Sequence, residues 1–126
     1  MAEDKGKKVL IVDDDDEMQT LYGLYLRGES FEIKEALNGQ QALEILAQEP
    51  WDLIILDMIM PVMDGEEFLR RLNADPKIKN IPIIIASVNE KIPKDILSLG
   101  NIIATLRKPF SIDILVGKIH DVFDKK

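Results

Sequence analysis

The sequence predicts one α/β domain of the doubly wound class, in which five parallel strands alternate with five helices. Short aliphatic runs alternate with longer stretches of helical periodicity, which is the pattern of successive β-α-β units. The third run, residues 51–56, is almost entirely apolar, as expected for a central strand that is buried on both faces. The length of 126 residues suits a single domain and leaves no room for a second core.

The predicted elements are bounded by residues that begin or end regular structure. Asn38 and Gly39 form a turn before the second helix, Pro76 ends the third, and Ser111 caps the fifth. Asp64 and the acidic residues after it suit the start of the third helix. The predicted strands cover residues 8–12, 31–36, 51–56, 81–86 and 102–107, and the helices cover about 17–28, 40–48, 64–73, 93–99 and the stretch after Ser111.

Composition excludes several classes of function. With 16 basic and 23 acidic side chains the net charge is −7, which argues against direct nucleic-acid binding because that affinity depends on basic residues. The absence of cysteine excludes disulfides, thiolate metal sites and a cysteine nucleophile. No run approaches the roughly 20 apolar residues of a membrane helix, and the start does not resemble a signal peptide. We expect a cytoplasmic protein without membrane insertion, with residues 1–6 as a mobile tail and 7–126 as the domain.

Polar side chains follow four of the predicted strands at the points where the strands end. Asp13 and Asp14 follow the first strand, Asp57 the third and Ser87 the fourth, and Lys108 follows the fifth. In an open parallel sheet the ligand site lies beyond the carboxyl ends of the strands, so these side chains should converge. The sequence therefore predicts one site for a divalent cation and a phosphoryl group.

The chemistry of these residue types fits both ligands. Mg²⁺ takes oxygen ligands and is held by one or two carboxylates plus phosphate oxygens, which suits Asp13 and Asp14. Asp57 is a candidate nucleophile that forms an aspartyl phosphate, while the cation and Lys108 neutralise the phosphoryl oxygens. Ser87 offers a hydroxyl to the same group. Because three close carboxylates repel one another, an empty site should either stay hydrated or have at least one raised carboxyl pKa. Pro109 is a candidate for a cis peptide bond.

These motifs together resemble the response-regulator receiver domain of two-component signalling, in its single-domain chemotaxis form. The resemblance covers about residues 7–123 and rests on an ordered set: the acidic pair, the segment D-x-x-M-P-x-M-D-G from Asp57 to Gly65, the hydroxyl of Ser87, and K-P-F from Lys108. It implies a flavodoxin-like sheet of order 2-1-3-4-5.

The resemblance also implies a role for each site residue. Asp57 would be the phosphoacceptor, and Mg²⁺ would be bound by Asp14, Asp57 and the carbonyl of Ile59, with Asp13 acting through water. Ser87 and Lys108 would contact the phosphoryl group. The donor would be a phosphohistidine on a sensor histidine kinase or histidine phosphotransfer protein. Phosphorylation would change the surface that binds an unidentified protein target, and the chain would catalyse only its own phosphorylation and dephosphorylation.

Four features depart from the family pattern. Thr105 stands three residues before Lys108, where the family usually has an aromatic residue that swings inward on phosphorylation. The spacing from Gly100 to Lys108 is one residue longer than usual. Val88 replaces the small residue after Ser87 and should slow exchange of the phosphoryl group, and apolar Ile59 stands where polar groups are common.

Two other functions are compatible with the sequence. The run from Val9 to Asp16 also resembles the aspartate-nucleophile start of haloacid-dehalogenase-like phosphatases, which would place a covalent phosphate on Asp13 instead of Asp57. The third possible class is a binding module that does not depend on phosphorylation. The departures from the family pattern at Thr105 and Val88 keep this class open.

The sequence leaves the assembly of the protein open. We expect a monomer or a weak dimer, and an output domain could have been removed. Four apolar residues near the end of the chain could belong either to the core or to a partner surface: Ile102, Ile103, Ile114 and Val116.

Overall fold

Five parallel strands and five helices alternate along the chain in a computed structural model that describes residues 6–29, 31–88 and 92–124. The strands are β1 Lys8–Val12, β2 Glu32–Ala36, β3 Leu53–Leu56, β4 Pro82–Ser87 and β5 Asn101–Arg107. The helices are α1 Asp16–Gly28, α2 Gly39–Gln48, α3 Gly65–Asn73, α4 Lys94–Leu97 and α5 Ile112–Asp124. The sheet order is β2-β1-β3-β4-β5, as the resemblance implied.

The predicted elements are all present, with ends that differ by at most two residues. β3 begins at Leu53 instead of residue 51, and β4 extends to include Ser87. Helix α4 has only four residues, fewer than predicted. The predicted mobile tail falls largely outside the described residues, which begin at residue 6.

Both faces of the sheet are covered by helices. Leu10 and Val12 of β1 pack with buried residues of α2, α3 and α4, whereas Val9 and Ile11 pack with residues of α1 and α5. Side chains alternate between the faces of a strand, so an apolar run is buried on both sides. This arrangement explains why β1, β3 and β4 are nearly continuous aliphatic runs. No helix in the described ranges is long and apolar enough to cross a membrane.

Helix α1 has a different buried face from the one that its apolar residues indicate. Five residues at helical spacing predict this helix: Met18, Leu21, Tyr22, Leu24 and Tyr25. Tyr22 is buried and Met18 packs partly against the core, but Leu21, Leu24 and Tyr25 are exposed. Leu26 and Gln19 are also buried. The helix is confirmed, but only part of its apolar set faces the core.

The extra residue before Lys108 is accommodated by a bulge in β5. Ile83 of β4 pairs with Ile102, and the next residue, Ile84, pairs with Ala104. Ile103 is therefore the additional residue, and its side chain is exposed. Among the other unassigned apolar residues, Ile114 is exposed, whereas Ile102 and Val116 pack partly against the core.

Candidate functional site

The carboxyl ends of the strands bring the predicted polar residues to one edge of the sheet. The Asp57 amide donates to the Val12 carbonyl at 2.9 Å, which continues the ladder between β1 and β3 by one residue. The Lys108 amide donates to the Ser87 carbonyl at 2.9 Å, which does the same for β4 and β5. The side chains of Asp57 and Lys108 are thus carried by backbone that is still paired to the sheet. Such backbone holds side chains more rigidly than a free loop would.

Three carboxylates form the centre of the site. One oxygen from each of Asp13, Asp14 and Asp57 lies within 4.8 Å of the others. Asp13 and Asp57 are buried, whereas Asp14 is exposed and leaves the cluster open to solvent. Clustered carboxylate oxygens suit a hard divalent cation such as Mg²⁺, which usually keeps several water ligands. These residues therefore fit the cation that the sequence predicts.

Lys108 supplies positive charge to two of these carboxylates. Its Nζ donates to Asp13 Oδ2 at 2.7 Å and lies 3.6 Å from Asp57 Oδ2. Burial alone would lower the pKa of Lys108, but the hydrogen bond with Asp13 and the charges of Asp13 and Asp57 raise it above its ordinary value. The lysine is therefore charged at neutral pH. It can interact with an anionic group added to Asp57 without first gaining a proton.

The Asp57 carboxyl is held in an unfavourable environment for its charged form. Burial raises its pKa above the ordinary value, and the charges of Asp13 and Asp14 add to this effect. Lys108 and the amide of Ile59, which lies 3.3 Å from Asp57 Oδ1, oppose the rise. The pKa of one carboxyl is raised, as expected, but burial is the main cause and each of the neighbouring carboxylates contributes less than Lys108 opposes. A cation bound by these groups would relieve the repulsion.

The four consecutive aspartates have different environments. Asp13 Oδ1 accepts a hydrogen bond from the amide of Asp15 at 2.9 Å. Asp15 is the N-cap of α1, since its side chain accepts from the amides of Glu17 and Met18. Asp16 lies in the first turn of the helix, where a negative charge is favourable. Acidic residues at this point of the sequence favour a helix start over metal binding for Asp15 and Asp16, and the structure agrees.

The loop after Asp57 is closed by a tight contact at Gly65. The Gly65 amide donates to the Met58 carbonyl at 2.9 Å, and Asp64 caps α3. A Cβ atom at Gly65 would lie 2.6 Å from Met58 Cα, too close for any other residue without movement of the backbone. The D-G pair of the motif thus keeps the backbone after Asp57 close to the start of α3.

The remaining predicted residues differ in their burial. Ser87 is the last residue of β4 and is buried. Ile59 and Val88 are more than half exposed, at 52% and 57% of their surface. Thr105 is exposed on β5. The Lys108–Pro109 peptide bond is cis, as predicted.

Two buried polar residues beneath the site were not predicted. Gln19 and Tyr22 lie one turn apart on the buried face of α1. Tyr22 stacks on Phe110 with ring centroids 6.5 Å apart. Burial first, and then the charges of Asp13 and Asp57, raise the pKa of Tyr22, so it is neutral. A glutamine inside a helical run gives no sign in the sequence that it is buried, because most are exposed.

The chain is similar to response regulators in sequence and structure. The family model described as the response regulator receiver domain matches residues 9–120. The response regulator GtcR of Aneurinibacillus migulanus is 40% identical over 95 residues, which are 75% of this chain and 38% of that protein. The chain thus spans little more than a third of the length of this curated relative.

Two solved structures share the whole fold. The chemotaxis protein CheY4 of Vibrio cholerae has a TM-score of 0.83 and 29% identity, and the match covers 93% of this chain and 98% of that one. The receiver domain of a sensor histidine kinase from Pseudomonas aeruginosa PAO1 has a TM-score of 0.84 and 25% identity, with 95% and 99% covered. In that structure a magnesium ion is coordinated in the active-site cleft.

Proposed function

The chain belongs to the response regulator receiver domain family of two-component signalling, and we propose that it is a phosphoacceptor switch in which Asp57 receives the phosphoryl group. Receiver domains are signalling switches rather than enzymes that turn over a metabolite. One observation carries the proposal. Asp57 Oδ2 lies 3.6 Å from the charged Nζ of Lys108, and the Asp57 carboxylate clusters with two further carboxylates that suit a divalent cation.

The proposed reaction is a phosphoryl transfer to a carboxylate oxygen of Asp57. This oxygen attacks the phosphorus of a phosphohistidine, an oxygen–phosphorus bond forms, and the phosphorus–nitrogen bond breaks with its electron pair going to the imidazole. Such a transfer depends mainly on alignment and on neutralisation of the phosphoryl oxygens. The donor would be a sensor histidine kinase or histidine phosphotransfer protein. The chain itself would catalyse its phosphorylation and the later hydrolysis.

Each site residue has a proposed part in this reaction. Lys108 is charged and turns from Asp13 and Asp57 toward the added phosphoryl oxygens. Ser87 donates its hydroxyl to one of those oxygens. Mg²⁺ would be held by Asp14, Asp57 and the Ile59 carbonyl, with Asp13 acting through water, and it would supply positive charge beside the phosphoryl group. The proximity of the three carboxylates and the magnesium in the Pseudomonas receiver domain support this assignment.

The consequence of phosphorylation would be a shift between surface conformations that changes binding to a protein target. Because Thr105 is exposed and has no aromatic ring, we propose that this chain switches through other side chains. We also propose that it works in the cytoplasm, as a monomer or a weak dimer, without direct contact to nucleic acid. The net charge of −7 supports the last point.

Intact mass spectrometry after incubation with Mg²⁺ and acetyl phosphate tests the proposal. We expect the wild type to gain one base-labile phosphoryl group, and we expect no gain without Mg²⁺ or in Asp57→Asn. Asp13→Asn should still form the adduct, though more slowly. An adduct that forms in Asp57→Asn but not in Asp13→Asn would instead support the hypothesis of a haloacid-dehalogenase-like phosphatase. If the wild type binds Mg²⁺ but gains no mass, a binding module without the switch is favoured.

A further inference from the structure

Gln19 makes an unusual set of contacts beneath the acidic site. It is 3% exposed, and its Nε2 lies 3.2 Å from the Ile11 carbonyl, 2.9 Å from that of Asp13 and 3.1 Å from that of Ala36. These carbonyls lie where the ladder between β1 and β2 ends. Val12 and Ala36 are its last pair, and the Asp13 amide donates to the Ala36 carbonyl at 3.0 Å. One side-chain amide therefore joins α1 to the ends of both strands.

The orientation of this carboxamide follows from its neighbours. All three contacts are hydrogen-bond acceptors, so the NH₂ group must face them and the Oε1 atom must face away. Oε1 has no hydrogen-bond partner within the described part of the chain. An unsatisfied buried acceptor costs about 1–3 kcal/mol, which an apolar side chain at this position would avoid. The presence of glutamine here indicates a role beyond packing.

The contact with the Asp13 carbonyl has a geometric consequence for the acidic pair. Asp13 and Asp14 follow the end of β1, where the alternation of side chains between the faces of a strand no longer applies, and the carboxylates of both reach the cluster. The Asp13 carbonyl belongs to the planar peptide that joins these two residues. Fixing that carbonyl fixes the plane of the peptide, and with it the direction in which the chain continues to Asp14.

We propose that Gln19 is a positioning residue for the divalent cation site, because its carboxamide holds the Asp13–Asp14 peptide in the orientation that brings both carboxylates together. This inference rests on the proposed binding of Mg²⁺ by the acidic cluster. Gln19 would thus serve the cation site from α1, although its own side chain does not touch the cation. Residues that orient metal ligands typically contribute about 10–100-fold to metal affinity.

The substitution Gln19→Met tests this role, since methionine has a similar length and no hydrogen-bonding amide. The measurement is the Mg²⁺ dissociation constant by calorimetry, at a temperature where every variant is folded. We expect Gln19→Met to bind Mg²⁺ at least about tenfold more weakly. Its rate of phosphorylation by acetyl phosphate at saturating Mg²⁺ should stay close to that of the wild type. A lower Mg²⁺ affinity with an unchanged rate at saturating Mg²⁺ indicates a positioning role. A general loss of structure would lower both the affinity and the rate.

Tyr22→Phe is the matched control. Tyr22 is also fully buried on this face of α1, one turn from Gln19, and its hydroxyl has no hydrogen-bond partner in the described ranges. We expect this variant to bind Mg²⁺ like the wild type. Equal Mg²⁺ affinity in Gln19→Met and the wild type would overturn the proposal, as would an equal loss of affinity in both variants.

A measurement on the wild type covers the case in which Gln19→Met does not fold. The Gln19 side-chain NH₂ signals in a ¹H–¹⁵N spectrum should be protected from solvent exchange and should shift when Mg²⁺ is added. The proposal would be refuted if the NH₂ protons of Gln19 exchange rapidly with solvent and their chemical shifts do not change when Mg²⁺ is added. A wild type that shows this shift but is never phosphorylated would contradict the proposed switch while leaving the role of Gln19 intact.

Discussion

Removal of the Lys108 charge should destabilise the domain by roughly 3 kcal/mol at pH 7. Lys108 Nζ lies 2.7 Å from Asp13 Oδ2 and 3.6 Å from Asp57 Oδ2. At an effective dielectric constant of about 20, these distances correspond to gross attractions of about 6 and 5 kcal/mol. Burial of the charges offsets much of this. Breaking a buried ion pair by removing one partner typically costs about 3–5 kcal/mol, and solvent access through exposed Asp14 favours the lower end.

The loss should depend on pH with a definite sign. Burial already raises the folded-state pKa of Asp57, and without Lys108 this pKa rises further above its unfolded value of about 4. A carboxyl pKa that is raised on folding lowers stability as pH increases from the unfolded value to the folded value. Lys108→Met should therefore be least stable relative to the wild type at neutral pH and should recover as pH falls toward about 4. Mg²⁺ at about 100 times its dissociation constant should restore up to about 2.7 kcal/mol at pH 7.

Urea unfolding at pH 7 and pH 5, with and without Mg²⁺, measures these effects. Lys118→Met is the control, because Lys118 lies exposed on α5 and its loss should change stability by no more than about 0.5 kcal/mol. Equal losses in the two variants would refute the reasoning. So would a deficit in Lys108→Met that stays constant between pH 5 and pH 7, since the uncompensated carboxylates could not then be its cause.

Three further substitutions test other features of the site. Asp57→Asn should raise the melting temperature at pH 7, because burial raises the pKa of Asp57 and its charged form therefore opposes folding. In thermal scans this gain should vanish near pH 4, where the carboxyl is largely protonated in the unfolded chain as well. Gly65→Ala should cost about 1–3 kcal/mol in urea unfolding, because its Cβ would meet Met58 Cα at 2.6 Å, and an unchanged midpoint would contradict this. Val88→Ala should speed both phosphorylation by acetyl phosphate and hydrolysis of the adduct; unchanged rates would show that Val88 does not narrow access to Asp57.

The strands and the acidic centre could be predicted from sequence because each depends on local pattern. Residues 53–56 are buried on both faces and form an uninterrupted aliphatic run, so Asp57 after them stands out. The parallel arrangement then brings Asp57 to the same edge as Asp13 and Lys108. These inferences need only the period of the side chains and the direction of the strands.

The buried face of α1 could not be predicted because its apolar residues do not mark a single stripe. Leu21, Leu24 and Tyr25 have helical spacing but are exposed, and a folded protein always leaves some apolar side chains on its surface. Gln19 is buried where its amide donates to three carbonyls near the strand ends. This group of carbonyls becomes visible only when β1 and β2 are placed side by side. Pairing with β4 is likewise what locates the extra residue of β5 at Ile103.

The contacts of Lys108 suggest how a phosphoryl group could act beyond the site. Lys108 Nζ lies closer to the Asp13 carboxylate than to that of Asp57. A phosphoryl group on Asp57 would add negative charge on the Asp57 side of the lysine. The Lys108 amide is paired to the Ser87 carbonyl, so we expect the side chain to move while this end of β5 stays in place. Thr105 has no ring that could fill a buried space. The structural change on phosphorylation should therefore be transmitted mainly through Ser87, at the end of β4, and exposed Val88 after it. We expect the conformational difference between the two states to be largest there.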